Sequence, residues 1–391
     1  MTLSQNNNLN NHIISITWVI LLLFPVGNIF YMLVPTVFML LYNYRHQKIS
    51  MVNVCSWLLI FAIFLSLILN ISEPYISTKT IQRNVTLIVL LFSFTNLKIG
   101  TILKPYIWFT LIYVVISQIA FLYNITPITR IYDSIYDITG YYYEQFNMDI
   151  SMINIENIGI SLRLGGIFYN SNNCGEFISL IYALGLCESK QYKRVELILF
   201  CIIIFAAIFM TGSRTALLAY AAISSVYIYI TKRSLALPII LIAVTLILLN
   251  FNTLFEFRIF KIQEGMDNSF GVKMDIIDNY LTQCNSSIDL LFGSGNTDVM
   301  SYNYGQKFLG TDCDLGDILV SYGLLFYIFY IPFYITIARS LKREYFVILL
   351  VLIWMFSNTI IFNYRMSAVW LLTLGVLYNN SLYSKTNETT K

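Results

Sequence analysis

The stretch "VELILFCIIIFAAIFMTGSRTALLAYAAISSVYIYI" (residues 195–230) contains two apolar runs that are separated only by Thr-Gly-Ser-Arg. Each run approaches the roughly 17–25 residues with which a helix crosses the hydrocarbon of a membrane. The stretch therefore predicts two membrane helices joined by a tight turn at 211–214. Within lipid, Arg214 would cost roughly 3 kcal/mol, so we expect it at a membrane boundary where its guanidinium meets an anionic group.

The rest of the chain follows the same pattern. It has 391 residues, of which 57% are hydrophobic and only 12% are charged, whereas a soluble domain has about 25% charged residues. In lipid only helices and closed barrels satisfy every backbone N–H and C=O. Because the apolar runs are continuous rather than alternating, the sequence predicts an all-α, polytopic membrane bundle.

Several classes of partner are excluded by composition. The net charge is only +3 and no basic cluster is present, which argues against a nucleic-acid partner. Six cysteines occur without a CxxC or a Cys/His cluster, so neither a metal nor another cofactor is expected. The N-terminal "MTLSQNNNLNN" carries no Lys or Arg, which indicates a short tail before an uncleaved first span rather than a secretory signal.

The apolar runs predict about twelve spans with two long segments outside the membrane. The predicted spans are 13–26, 28–43, 51–71, 83–98, 105–124, 167–187, 195–211, 214–231, 235–252, 317–338, 345–362 and 366–383. This divides the chain into a tail (1–12), five spans (13–124), a loop (125–166), four spans (167–252), a large loop (253–316), three spans (317–383) and a second tail (384–391).

Basic residues set the orientation of these spans, because Lys and Arg concentrate in cytoplasmic loops. Five loops rich in Lys or Arg fall on one side if both termini are cytoplasmic. Their residues are Arg45 and Lys48; Lys98 and Lys104; Lys190, Lys193 and Arg194; Lys232 and Arg233; and Arg339, Lys342 and Arg343. The loops 125–166 and 253–316 are then external, and loops of that length are usually functional. Cys284 and Cys313 share the external side, where a disulfide between them is chemically allowed.

A few cations depart from this bias and lie on the external side. They include Arg163, Arg214, Arg258 with Lys261, and Arg365. An arginine fork matches phosphate and diphosphate oxygens in pairs, which a lysine does not. The alternative is that such residues snorkel to lipid phosphate or line an amphipathic surface helix. The small neighbours of Arg214 permit close helix packing and favour an internal, liganded role for it.

Two polar stretches accompany these cations. In "GGIFYNSNNCGEF" (165–177), Asn170 and Asn173 offer paired donors and acceptors that suit sugar hydroxyls, although Asn and Gly also favour plain turns. In "GTDCDLGDILVSYGLLF" (310–326), Asp317 fits a helix cap, whereas Asp312 and Asp314 lie further out as a candidate general base or hydroxyl ligand.

In order and spacing, "RLGGIFYNSNN", "TGSRTALLAY" and "DCDLGDILVSYGLL" resemble the O-antigen polymerase (Wzy-type) and O-antigen ligase group across roughly residues 155 to 340. The resemblance implies a GT-C-like glycosyltransferase of the bacterial inner membrane that uses neither metal nor nucleotide sugar. Its substrate would be an undecaprenyl-diphosphate-linked oligosaccharide at the external leaflet, and a chain-length-determining membrane protein is a candidate partner.

The resemblance also assigns roles to residues. Arg214, Arg163 and Arg258 would bind the diphosphate, with Lys261, Arg365, Asn170 and Asn173 as further substrate contacts. Asp312 or Asp314 would orient or deprotonate the acceptor. Ligases of the group carry a functional His near the end of the large external loop, where this chain reads "TDCDLGD". This departure favours a polymerase over a ligase.

Two other classes stay open. A flippase for lipid-linked oligosaccharides would have ionisable groups in mid-membrane, whereas the predicted spans are nearly free of charge. A non-catalytic assembly protein would rarely need twelve spans and clustered arginines. The sequence identifies neither the sugars nor the linkage.

Overall fold

Helices account for the regular structure in the described part of the chain. The computed structural model describes residues 16, 19–20, 51–72, 76, 78–94, 104–136, 164–168, 171–231, 277–278, 280–282, 287–295, 314–341, 346–355, 366–375 and 377–378. No strand occurs within these residues. In chain order the helices are α1 (Met51–Leu69), α2 (Thr78–Phe94), α3 (Lys104–Leu122), α4 (Thr126–Tyr136), α5 (Ser171–Cys187), α6 (Arg194–Thr211), α7 (Arg214–Thr231), α8 (Ser287–Phe292), α9 (Asp314–Ser340), α10 (Phe346–Met355) and α11 (Met366–Gly375).

Four of these helices are long and apolar enough to cross a membrane, namely α1, α3, α6 and α9. Two shorter apolar helices lie in α2 and α11. The prediction of an all-α membrane protein is therefore confirmed for the described residues, while the number of twelve spans stays a prediction.

Most of the described helices follow the predicted spans closely, whereas the predicted span 317–338 is interrupted at Gly323, where the backbone departs from helical geometry. α6 and α7 begin and end within one residue of the predicted 195–211 and 214–231. α2 begins at Thr78 rather than at 83, because its first turns, "TKTIQ", are helical but too polar to register as a span. The predicted spans 28–43 and 235–252 lie outside the described residues, and so does most of 13–26.

The exposed side chains of the described helices also indicate a lipid environment. Phe61 and Phe64 on α1 are each 54% exposed, and Ile202 on α6 is 57% exposed. Apolar faces of this kind are unfavourable in water and favourable in hydrocarbon. Conversely, Ser56 and Gln118 are fully buried among helices. Polar groups inside and apolar groups outside are what a lipid environment requires.

The chain forms two compact units, which are described separately. The first comprises Met1–Ile102, Asn268–Ile348 and Trp354–Lys391, and the second comprises Leu103–Asp267 and Leu349–Ile353. The first unit thus contains α1, α2, α8, α9 and α11, and the second contains α3 to α7.

In the first unit, α9 reverses direction at Gly323. This residue has φ 68° and ψ −170°, a backbone conformation that essentially only glycine adopts. The Tyr327 hydroxyl donates to the Leu315 carbonyl, twelve residues earlier, which requires the two halves of the helix to fold together. The beginning of α9 therefore lies alongside its own second half.

The segment Gly293–Gly295 packs against this reversal. The Ser294 N–H donates to the Val320 carbonyl and the Gly295 N–H to the Ser321 carbonyl, each at 2.8 Å. A Cβ on Gly323 would lie 2.5 Å from the carbonyl carbon and oxygen of Leu291. Glycine is needed at this position both for its backbone angles and for this close approach.

Asn70, which directly follows α1, and Asn84 of α2 hold the same segment in place. Asn70 donates to the Gly293 carbonyl (3.1 Å), and Asn84 donates to the Gly295 carbonyl (3.4 Å). Asn84 also accepts a hydrogen bond from the Tyr322 hydroxyl at 2.9 Å. Backbone groups outside a regular helix are thus satisfied by protein donors and acceptors.

In the second unit, Lys104 joins the start of α3 to the start of α6. Its ammonium lies 2.8 Å from Glu196 Oε2 and donates to the Gln191 carbonyl at 3.0 Å. The starts of α3 and α6, which the sequence predicts on one side, therefore lie at the same end of this unit. The cytoplasmic assignment of that end stays a prediction.

At the other end of α3, the predicted loop 125–166 begins with the amphipathic helix α4. Tyr132 and Tyr136 pack on Tyr113 of α3, and the Tyr132 hydroxyl donates to the Tyr113 carbonyl at 3.1 Å. Burial raises the pKa of Tyr132 to about 12, with Tyr113 adding to the effect. Tyr132 is thus protonated at neutral pH and acts as a structural donor rather than as an acid–base group.

Candidate functional site

The turn that carries Arg214 is closed by its own polar groups. Gly212, with φ 60° and ψ 18°, ends α6 in the left-handed conformation that glycine adopts most easily. Thr211 Oγ1 accepts from the Ser213 N–H (3.2 Å), and Ser213 Oγ accepts from the Ala216 N–H (3.4 Å) as the cap of α7. The sequence Thr-Gly-Ser-Arg thus folds locally into a tight helix-to-helix turn.

Arg214 is the first residue of α7 and is half-buried. The positive end of the helix dipole lies at this position, so a cation there is disfavoured by about 0.3–1 kcal/mol in exposed cases. An anionic group bound at the turn would be stabilised by the guanidinium and by the helix end together.

The start of α5 packs directly against this turn. A Cβ on Gly175 would lie 2.7 Å from Ala216 Cβ, 3.1 Å from Ser213 Cβ and 3.3 Å from Thr211 Oγ1. Only a glycine permits this approach. Gly175 thereby brings the Asn-rich stretch that contains Asn173, itself half-buried, to the turn that contains Arg214. The two stretches that the sequence assigned to one site meet in the second unit.

Gln118 of α3 links these elements and was not identified from the sequence. Its Nε2 donates to the carbonyls of Leu164 (3.1 Å) and Ala207 (3.2 Å) and lies 3.6 Å from Cys174 Sγ. The side chain is fully buried. The sequence feature that could have identified Gln118 is its amide within the apolar run "LIYVVISQIAFLY", because polar groups in membrane helices usually bridge elements.

The segment 164–168 is held by hydrogen bonds to both α6 and α3. The Leu164 N–H donates to the Met210 carbonyl at 2.9 Å, while its carbonyl accepts from Gln118. Gly166 has φ 56°, and a Cβ there would collide with Ser117 Oγ. Gly166 thus lets this segment pass close to Ser117 and Gln118 of α3.

Replacing Gln118 by methionine keeps the shape and removes the donor, so the carbonyls of Leu164 and Ala207 lose a buried partner. We expect destabilisation of about 1–3 kcal/mol, measured as a lower apparent Tm of the purified protein in detergent. Gln118→Glu is expected to be at least as harmful, because an ionised carboxylate faces the same two carbonyls.

The control for this prediction is Ser179→Ala on α5. Ser179 is equally buried, but its hydroxyl donates only to the Gly175 carbonyl of its own helix, at 2.7 Å. A shift no larger for Gln118→Met than for Ser179→Ala would contradict the bridging role of Gln118.

Asp314 is fully buried and Asp317 is 5% exposed, both in the first unit. The sequence placed Asp314 further out, in the external loop, but the reversal at Gly323 folds the start of α9 back onto the helix. A carboxylate in such a place is costly and in membrane proteins usually functional. The other predicted site residues lie outside the described residues: Arg163, Asn170, Arg258, Lys261, Asp312 and Arg365, together with Cys284 and Cys313.

An open apolar groove of about 420 Å³ runs between α6 and α7. It is lined by Leu197, Ile198, Cys201, Ile202, Phe205 and Tyr220. Tyr220 lies six residues after Arg214 on the same helix, which corresponds to about 9 Å along its axis. The lining is almost entirely apolar, which suits a hydrocarbon chain.

The candidate site therefore consists of Arg214, Asn173 and the Thr211–Ser213 turn, supported by Gln118 and Gly175. Among the residues that the structure describes, no group of three or more His, Cys, Asp or Glu side chains is arranged to hold a metal ion. Neither the models of protein families nor the curated proteins contain a match to this chain.

Proposed function

We propose that the protein polymerises undecaprenyl-diphosphate-linked oligosaccharide repeat units into O-antigen or a similar surface polysaccharide at the outer leaflet of the bacterial inner membrane. The observation that carries the proposal is the contact of Gly175 with the Thr211–Ser213 turn, which joins a half-buried arginine to an Asn-rich helix start. Such a site offers a cation for diphosphate and amides for sugar hydroxyls.

The reaction is a displacement at an anomeric carbon. An acceptor hydroxyl attacks that carbon, its C–O bond to the lipid diphosphate breaks, and the lipid diphosphate leaves with the bonding electron pair. In the proposal, the Arg214 guanidinium stabilises the charge that develops on the leaving oxygen. As the resemblance implies, Asp312 or Asp314 is the candidate group to take the proton of the attacking hydroxyl.

The groove between α6 and α7 supports the lipid part of the proposal. A polyprenyl chain that begins at a diphosphate beside Arg214 would run along α7 towards Tyr220 and the apolar face of α6. The proposal includes twelve spans, a GT-C-like bundle and cytoplasmic termini, so that the turn at 211–214 faces outward. A reporter fused at Gly212 that reads as cytosolic would contradict it.

One observation favours a second candidate function, a flippase for the same lipid-linked oligosaccharide. Glu176 is 2% exposed and Asp314 is fully buried, and buried acids within membrane helices are typical of transporters. Translocation of labelled lipid-linked sugar across vesicles by the purified protein would favour the flippase.

Deletion of the gene with complementation, read on a gel of surface glycan, tests the proposed function. We expect cells that lack the protein to carry one repeat unit per core, because ligation continues without polymerisation. Core without any glycan, together with accumulated lipid-linked polymer, would indicate a ligase instead. Loss of glycan without any lipid-linked polymer at the outer leaflet would indicate a flippase.

A further inference from the structure

The helix α4 folds back along α3 instead of leading away from it. The chain turns at Asn124, whose φ of 48° is a left-handed conformation that asparagine adopts more easily than most residues. After this turn the Tyr132 hydroxyl donates to the Tyr113 carbonyl at 3.1 Å, and the hydroxyl oxygens of Tyr136 and Tyr113 lie 3.2 Å apart. α4 therefore runs antiparallel to α3.

Tyr113 shows how far α4 reaches along α3. It lies nine residues before the end of α3 at Leu122, which corresponds to about 14 Å along the helix axis. Tyr136, the last residue of α4, lies ten residues after Thr126, or about 15 Å along its own axis. The two lengths agree, so α4 ends beside the middle of α3. Because α3 is long and apolar enough to cross a membrane, this level corresponds to the interior of the bilayer.

Both helices expose apolar side chains on the same side of the pair. On α3 the exposed face contains Phe109, Ile112 and Ile116, and Phe109 stacks on Tyr113 at 6.3 Å between ring centroids. On α4, Ile131 is 60% exposed and Ile135 is 46% exposed. In an antiparallel pair that meets through Tyr113 and the tyrosines of α4, helical positions direct both faces to one side. The isoleucines of α4 thus continue the apolar surface of α3.

The polar groups of α4 fit this surface. By helical position Arg130 and Asp133 lie on the flank of α4 away from the isoleucines. The hydroxyl of the exposed Ser134 donates to the Ile131 carbonyl of its own helix at 2.9 Å, so it does not require water. An apolar face that bears no charge is unfavourable in water and favourable in hydrocarbon.

We propose that α4 inserts halfway into the membrane beside α3 and contacts lipid acyl chains through Ile128, Ile131 and Ile135. The leaflet is the one at the end of α3 opposite to Lys104. The start of the segment 125–166, which the sequence predicts as an external loop, is thereby anchored in hydrocarbon. The inference does not depend on the proposed function, because it uses only the packing and exposure of α3 and α4.

The first test measures depth in the full-length protein reconstituted in liposomes. A nitroxide is coupled to an unnatural amino acid at one position, which leaves the native cysteines unchanged. Its collision rates with oxygen, which concentrates in hydrocarbon, and with a water-soluble nickel chelate report its depth. We expect position 135 to be about as deep as position 112 of α3, and position 131 to be shallower, because α4 descends from Thr126. The exposed Lys190, between α5 and α6, is the aqueous control position.

Each alternative arrangement gives a different result, and each would overturn the proposal. Equal, shallow depths at positions 131 and 135 would mean that α4 lies flat on the membrane surface. Nickel collision rates at both positions as high as at position 190 would place the isoleucines in water. Low collision rates with both reagents would show that protein, such as a second copy of the chain, covers this face.

The second test compares Ile131→Asp with Ile116→Asp in lipid nanodiscs. Both isoleucines are exposed, so their replacement removes little packing within the protein. Because a carboxylate in hydrocarbon is costly, we expect both variants to lower the apparent Tm by similar amounts. An exposed isoleucine in water would tolerate the change with little effect. A wild-type Tm for Ile131→Asp beside a lowered Tm for Ile116→Asp would contradict the insertion of α4.

Discussion

Replacement of Arg214 by alanine is expected to abolish surface polymer and to leave single repeat units on the core. Arg214 is half-buried at the start of α7, beside the contact of Gly175 with Ser213. Loss of one donor aimed at a developing oxyanion lowers kcat by about 10²–10³, and Arg214 would supply paired donors. The measurement is transfer between lipid-linked repeat units in liposomes, supported by the glycan pattern of complemented cells.

Arg214→Lys separates charge from geometry. A lysine keeps the positive charge but not the planar fork, so we expect activity between that of the wild type and that of Arg214→Ala. The matched control is Arg130→Ala, which removes an exposed arginine from α4 in the same unit. Wild-type polymer lengths in Arg214→Ala cells would rule out an essential role for this arginine.

Replacement of Gly323 by alanine is expected to prevent the reversal of α9 and with it the native first unit. The conformation at φ 68° and ψ −170° costs a residue with a side chain on the order of 1–3 kcal/mol. The added Cβ would also lie 2.5 Å from the Leu291 carbonyl, where only backbone can move away. Together these effects are comparable to a large part of the stability of a typical domain.

The readouts for Gly323→Ala are the amount of protein in the membrane and its apparent Tm in detergent. Gly293→Ala is expected to be similarly harmful, because its Cβ would lie 2.6 Å from the backbone of Ser321, Tyr322 and Gly323. The adjacent Leu324, 42% exposed, supplies the control Leu324→Ala, for which we expect a small effect. A Tm for Gly323→Ala equal to that of Leu324→Ala would show that the reversal does not need glycine.

Parts of the candidate site were predictable from sequence and parts were not. Arg214 stands out because a charge between two apolar runs is costly wherever it lies. The role of Gln118 was not predictable, because a single glutamine in an apolar helix can also be buried without bridging other elements. Its role depends on the carbonyls of Leu164 and Ala207, which approach it only after α3, α5 and α6 have packed.

The buried position of Asp314 was also not predictable from the sequence. Read in order, "DCDLGDILVSYGLL" indicates an ordinary straight span that Asp317 caps, with Asp312 and Asp314 further out in the external loop. Gly323 in this run is compatible with a continuous helix, because glycine is common in membrane helices. The backbone of Gly323 departs from helical geometry where the Gly293–Gly295 segment packs on it, so the buried position of Asp314 depends on residues that are distant in sequence.

The sequence alone determined the all-α membrane class, the bounds of α6 and α7 and the turn that carries Arg214. These features depend on the apolar length of contiguous segments and on local turn chemistry, which neighbouring residues decide. Only the tertiary structure decided the contact of Gly175 with the turn, the bridging by Gln118 and the reversal that buries Asp314. These depend on close approach between distant segments, where the absence of a single Cβ or the presence of one donor fixes how the helices meet.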